Sequence, residues 1–218
     1  ISIGRYRVGT PFSLPFIRYL CPTMIASENI QIDFKARYFK TGHINAQTKN
    51  VWFVLHGYAQ LAAHFIKKFE VLNDGSTCII APEGLSKFYM NGFGLDGRVA
   101  ASWMTKEDRL TDIENYLTYL NRVYEKEVTN SPFQNFEVSL LGFSQGAATV
   151  CRWAQSPHID FKQLVLWAGV FPPDLDVTTT QAKLKDKQVH FVYGTQDPYI
   201  NDKALAEQQR LADTLAIK

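Results

Sequence analysis

The sequence has no run of about 18 apolar residues, the length a helix needs to cross a bilayer, so no transmembrane segment is expected. Its nearest approach to a signal peptide, residues 12–26, is broken by Pro15, Arg18 and Pro22 and lacks an apolar h-region, which makes the cytoplasm the expected location. Excess charge of one sign is missing too. Lys and Arg number 23 against 21 Asp and Glu, and the formal charge of +2 creates no field that gathers polyanions. No Lys/Arg series interleaves with stacking aromatics, so nucleic acid is not an expected partner. Cysteine is scarce: Cys21, Cys78 and Cys151 have no CxxC spacing, and the last two sit in apolar stretches, as buried free thiols do. Internal repeats and low-complexity tracts are absent, which excludes solenoids and arrays. With 46% hydrophobic residues, the 218-residue chain can build one sizeable core.

Residues 1–29 fit no pattern and read as an N-terminal segment of unknown role, followed by one domain over 30–218. In that domain short apolar runs alternate with amphipathic stretches, the mark of an α/β fold with a doubly wound, mostly parallel sheet. Residues 31–40 alternate in period two, suggesting an antiparallel edge strand. Further strands are expected at 50–55, 77–81, 136–141, 163–168 and 188–193, and helices at 60–72, 105–128, 145–155 and 202–217. The 105–128 helix opens at Thr105, with Asp108 as a short version of the capping-box partner.

Gly142-Phe143-Ser144-Gln145-Gly146 is a G-x-S-x-G sequence between an apolar strand and a helix rich in small residues. That is the setting of a nucleophile elbow, in which a strained turn lifts a serine above the sheet and a helix N-terminus faces developing negative charge. An inert glycine-rich turn is the plainer alternative.

Four motifs in order, His56-Gly57, Gly142–Gly146, Trp167-Ala168-Gly169-Val170-Phe171-Pro172 and Gly194-Thr195-Gln196-Asp197-Pro198-Tyr199-Ile200, resemble the phospholipase/carboxylesterase family of α/β-hydrolases, which includes acyl-protein thioesterases. The resemblance covers residues 50–205. It implies that Ser144 is the nucleophile, that Asp197 orients a catalytic histidine, and that the backbone N–H groups of Tyr58 and Gln145 form the oxyanion hole. His56 precedes the nucleophile, whereas this fold places its base last, so it is read as shaping the oxyanion loop. Asp174 and Asp176 are weaker candidates for the acid.

No histidine follows Asp197; the five are His43, His56, His64, His158 and His190. The family carries one more strand and a histidine loop after the helix that here ends the sequence, so the base is expected outside these 218 residues. The stretch 83–102 is too long for an ordinary connection and is expected to lie over the site, with Phe88, Tyr89, Trp103 and Phe171 lining an acyl pocket. The resulting expectation is a serine hydrolase acting on a small-molecule ester or thioester with an apolar acyl group, without metal or cofactor. A non-catalytic binding protein on the same scaffold is the rival. A peptidase would need a cap or propeller domain for which the chain has no room.

Overall fold

A computed structural model describes residues 25–92, 94, 97–197, 202–215 and 217. Residues 25–34 carry no regular secondary structure, and residues 35–218 form one compact unit.

Six strands make the central sheet. The edge strand β1 (Tyr38–Thr41) runs antiparallel to β3 (Thr77–Pro82), and every other pairing is parallel. Next to β3 lies β2 (Asn50–Leu55), and β6 (Glu137–Phe143), β7 (Gln163–Trp167) and β8 (Gln188–Val192) follow, giving the order β1-β3-β2-β6-β7-β8. A separate antiparallel hairpin pairs β4 (Ser86–Tyr89) with β5 (Val99–Ser102).

Alternation along the strands separates two cores. Val51, Phe53 and Leu55 of β2 point to one face, with Leu140 of β6 and Leu164 and Leu166 of β7. This face is covered by α2 (Arg109–Tyr124), α3 (Gln145–Ala154) and α5 (Asp202–Thr214) through residues such as Tyr116, Leu120, Val150 and Leu211. Val54, Ile79, Leu141 and Val165 point to the other face, under Ala62 and Phe65 of α1 (Ala62–Phe65) and Ile66 and Phe69 of the 3₁₀ turn that follows. Each large side chain so buried contributes about 1.5–3 kcal/mol, which fixes strand register as well as stability.

The chain winds from β2 outward to β3, then returns to β6 and proceeds the other way to β7 and β8. The switch point is therefore the crevice between the carboxyl ends of β2 and β6, where open α/β sheets bind ligands.

Several local expectations needed correction. The first helix covers one α-turn before tightening into a 3₁₀ helix at Ile66–Leu72. The helix expected from Thr105 begins at Arg109; Asp108 makes no side-chain cap, and it is Asp112 that accepts the Thr105 N–H at 2.8 Å. Its end loosens into a π-turn at Glu125–Thr129. Within the stretch 83–102, Ser86–Tyr89 and Val99–Ser102 pair as the β4–β5 hairpin, and α4 (Val177–Leu184) is a helix whose polar sequence gave no periodic signal.

Candidate active site

Ser144 sits between β6 and α3 with φ 53° and ψ −116°, a backbone conformation that costs a non-glycine residue about 1–3 kcal/mol. The surrounding structure enforces it. The Ser144 N–H donates to Trp167 O at 2.9 Å, Ser144 O accepts from Ala147 N–H at 2.9 Å, and the side chain remains exposed. The flanking glycines are sterically required: a Cβ on Gly142 would stand 2.2 Å from Gly146 O, and one on Gly146 would stand 2.4 Å from Leu55 O and 2.6 Å from His56 O. The G-x-S-x-G spacing thus lets the first turn of α3 rest directly on the backbone at the end of β2.

That contact brings the loop after β2 to the serine. A Cβ on Gly57 would meet the Phe143 ring at 2.9 Å and Ser144 Cβ at 3.2 Å. Tyr58 follows, 58% exposed, and Ala59 holds the chain in a positive-φ turn at 62°. Among the described residues neither the Tyr58 N–H nor the Gln145 N–H has an acceptor, and Gln145 opens α3, so the helix dipole adds to its N–H. Two unoccupied donors therefore sit on the chain segments that border Ser144.

His56 is fully buried under the first of them. Its Nε2 accepts the Gly84 N–H at 2.9 Å, which leaves the ring proton on Nδ1, donating to Gly57 O at 2.8 Å. In a trans peptide C=O and N–H point in opposite directions, so tethering Gly57 O to the buried ring turns the Tyr58 N–H away from it. Burial holds the His56 pKa below its usual value, against the Gly57 carbonyl and the Glu83 carboxylate, which favour the charged form. Both ring nitrogens are occupied, and His56 has no free nitrogen with which to take a proton from Ser144.

The Gln145 side chain is committed as well. Its Oε1 accepts the Trp103 N–H at 3.1 Å, and its Nε2 donates to Met104 O at 2.9 Å and to Ser102 Oγ at 3.2 Å. The G-x-S-x-G pattern leaves this position open, so sequence reasoning assigned the side chain no task.

Asp197 follows β8 at the same carboxyl edge as Ser144, half-buried, with its N–H on Gly194 O at 3.1 Å. Asp174 and Asp176, the weaker candidates for the acid, are both tied into the scaffold. Asp174 takes Arg152 Nη2 and Nε at 2.8 and 3.1 Å and is bonded to Arg109, and these guanidinium bonds pull its pKa down to about 2. Asp176 caps α4 by accepting the Thr179 N–H at 2.7 Å. His43, His64, His158 and His190 are all exposed, with His190 in mid-strand opposite Val165.

Of the aromatic residues expected around an acyl group, Phe88 stacks on Tyr58 at 5.4 Å and Tyr89 is 52% exposed on the hairpin. Trp103 and Phe171 are only 1% and 2% exposed, inside the core, where Phe171 packs on Phe191. A small cleft of about 180 Å³ lies instead between Gly169, Val170, the end of β8 and Leu205, Gln208 and Ala212 of α5. Among the described residues no cluster of three metal-ligating side chains occurs, and no helix is long and apolar enough to cross a membrane. Cys78 and Cys151 are buried free thiols whose pKa values burial raises, to about 11 for Cys78, while Cys21 lies outside the described residues.

The family model for Serine hydrolase (FSH1) matches residues 46–216, and the chain belongs to that family. Among solved structures it is similar to acyl-protein thioesterase 2 from Zea mays, at 17% identity over 84% of each chain with a TM-score of 0.57. It is also similar to TT1662 from Thermus thermophilus, at 14% identity over 84% of each chain with a TM-score of 0.55. A third, YahD with malic acid, aligns at 14% identity over 83% of this chain and all of its own, with a TM-score of 0.52. At these identities the structures establish the shared α/β-hydrolase fold. No curated protein sequence matches the chain.

Proposed function

We propose that this protein hydrolyses carboxylic esters or thioesters of apolar acyl groups through an acyl-enzyme on Ser144. The observation that carries the reading is the strained, exposed Ser144 bordered by the acceptor-free N–H groups of Tyr58 and Gln145. Ser144 Oγ attacks the acyl carbonyl, and the tetrahedral oxyanion is taken up by these two donors, each worth about 3 kcal/mol of barrier. Expulsion of the alcohol or thiol leaves the acyl-enzyme, and water releases the acid by the same route in reverse.

The proton taken from Ser144 needs a base. His56 has both nitrogens engaged, and the other four histidines are exposed, His190 in mid-strand. No histidine follows Asp197 in this sequence, and in this reading Asp197 is the carboxylate that holds the Nδ1–H of the histidine base. Intact-mass analysis of the full-length protein after reaction with a fluorophosphonate tests this. One adduct, absent in Ser144→Ala, supports the reading. A folded full-length protein that takes no adduct sinks it and favours a ligand-binding protein on a hydrolase scaffold, the reading that the lack of any histidine after Asp197 keeps in play.

A further inference from the structure

Trp103 is too deeply buried to meet a substrate, yet its two N–H groups reach both sides of the elbow. The backbone N–H donates to Gln145 Oε1 at 3.1 Å, and the indole Nε1–H donates to His56 O at 2.8 Å. Gln145 and His56 belong to different elements, the start of α3 and the loop after β2, and each precedes or carries one of the two acceptor-free donors. The neighbouring residues repeat the pattern. Ala101 exchanges backbone hydrogen bonds with the loop after β2, accepting from Ala59 N at 3.0 Å and donating to Gln60 O at 3.3 Å. Ser102 and Met104 bind the Gln145 amide. The Trp103 ring lies on His56 at 5.1 Å between centroids and meets Tyr116 edge-on at 6.2 Å, so the indole has little freedom to turn.

We infer that Trp103 is a positioning residue for the oxyanion hole: residues 101–104 form a strut that ties the Tyr58 loop to the Gln145 end of α3. The inference rests on the hydrolase reading and adds to it the device that sets the spacing of the two donors. Preorganised donors stabilise a transition state because they need no reorganisation as charge develops. Two donors on separate elements stay preorganised only while the distance between the elements is fixed, and the strut bonds to both.

The test uses the full-length protein with Trp103→Phe, which keeps the ring and the backbone N–H but removes Nε1–H, and with Gln145→Met, which removes the amide at similar length. Active sites are counted by fluorophosphonate titration, so that loss of folded protein does not enter kcat. Each variant is expected to lose about 10- to 100-fold in kcat, less than the 10²–10³-fold of deleting a donor outright. KM should move less than about twofold, and affinity for an alkyl trifluoromethyl ketone, which presents an oxyanion when Ser144 adds to it, should fall in step with kcat. Unchanged kcat per titrated site in both variants, or kcat and KM changing together, overturns the inference while leaving the hydrolase reading intact. A wild-type protein that takes no fluorophosphonate overturns both. Should Trp103→Phe fail to fold, Gln145→Met alone decides.

Discussion

Replacing His56 by Phe separates the role of its ring nitrogens from the role of its bulk. Phenylalanine keeps an aromatic ring against Trp103, so the cavity term is small, but the Gly84 N–H loses its partner and Gly57 O keeps only the Gln60 N–H at 3.2 Å. An unsatisfied buried group costs about 1–3 kcal/mol, so the variant should be at least about 1–3 kcal/mol less stable. The kinetic effect is separate. With the shorter of the two bonds to Gly57 O gone, the Gly57–Tyr58 peptide is held less firmly and the Tyr58 N–H is less well aimed, a loss of up to about 10²–10³ in kcat. Urea unfolding gives the first quantity, and ester hydrolysis per fluorophosphonate-titrated site gives the second. A lower urea midpoint with kcat unchanged would make His56 a packing residue only, with no part in aiming the Tyr58 N–H. The wild-type ring makes a linked prediction. Its folded pKa is depressed, so its contribution to stability is complete above the unfolded value of 6.5 and is lost as pH falls through the folded value. Urea midpoints measured from pH 7.5 down to 5 should decline below about 6.5, and less so in His56→Phe.

Other expectations follow from the same contacts. Gly146→Ala forces a methyl to 2.4 Å from Leu55 O, backbone against backbone, and should cost at least about 1–3 kcal/mol of stability together with most of the activity, read by thermal unfolding and ester assay. Asp174→Asn leaves Arg152, whose side chain is 7% exposed, without its carboxylate and should lower stability by about 1–3 kcal/mol in urea at pH 7. In the full-length protein Asp197→Asn should reduce kcat by about 10⁴ with fluorophosphonate labelling slowed in parallel; a loss below tenfold would remove Asp197 from the acid's role. Cys78 and Cys151 should resist iodoacetamide at pH 8 in the folded protein and react after unfolding, read by mass.

The centre of the sheet was legible because β2, β3, β6 and β7 are short apolar runs buried over most of their length, and the turn from β6 to α3 carries glycines that nothing larger can replace. Gly142, Ser144 and Gly146 state their geometry in residue type alone. What sequence could not show depends on contacts far apart in the chain. Thr105 and Asp112, Gln145 and Trp103, and Arg152 and Asp174 are pairs whose meaning appears only when the elements meet. The β4–β5 hairpin was read as a loop because four glycines outweighed its short strands, and α4 was missed because Thr178, Thr179 and Thr180 favour no helix. Aromatic type alone placed Trp103 and Phe171 with the substrate; their burial places them with the scaffold.

The proposed hydrolysis passes through a covalent acyl group on Ser144. Acid-quenching the full-length protein during turnover of a medium-chain acyl thioester, then sequencing the peptide that contains residues 142–146 by mass spectrometry, tests it directly. The acyl mass on Ser144, absent in Ser144→Ala, is the expected result. Steady hydrolysis with no acyl group at Ser144, and undiminished in Ser144→Ala, would contradict it.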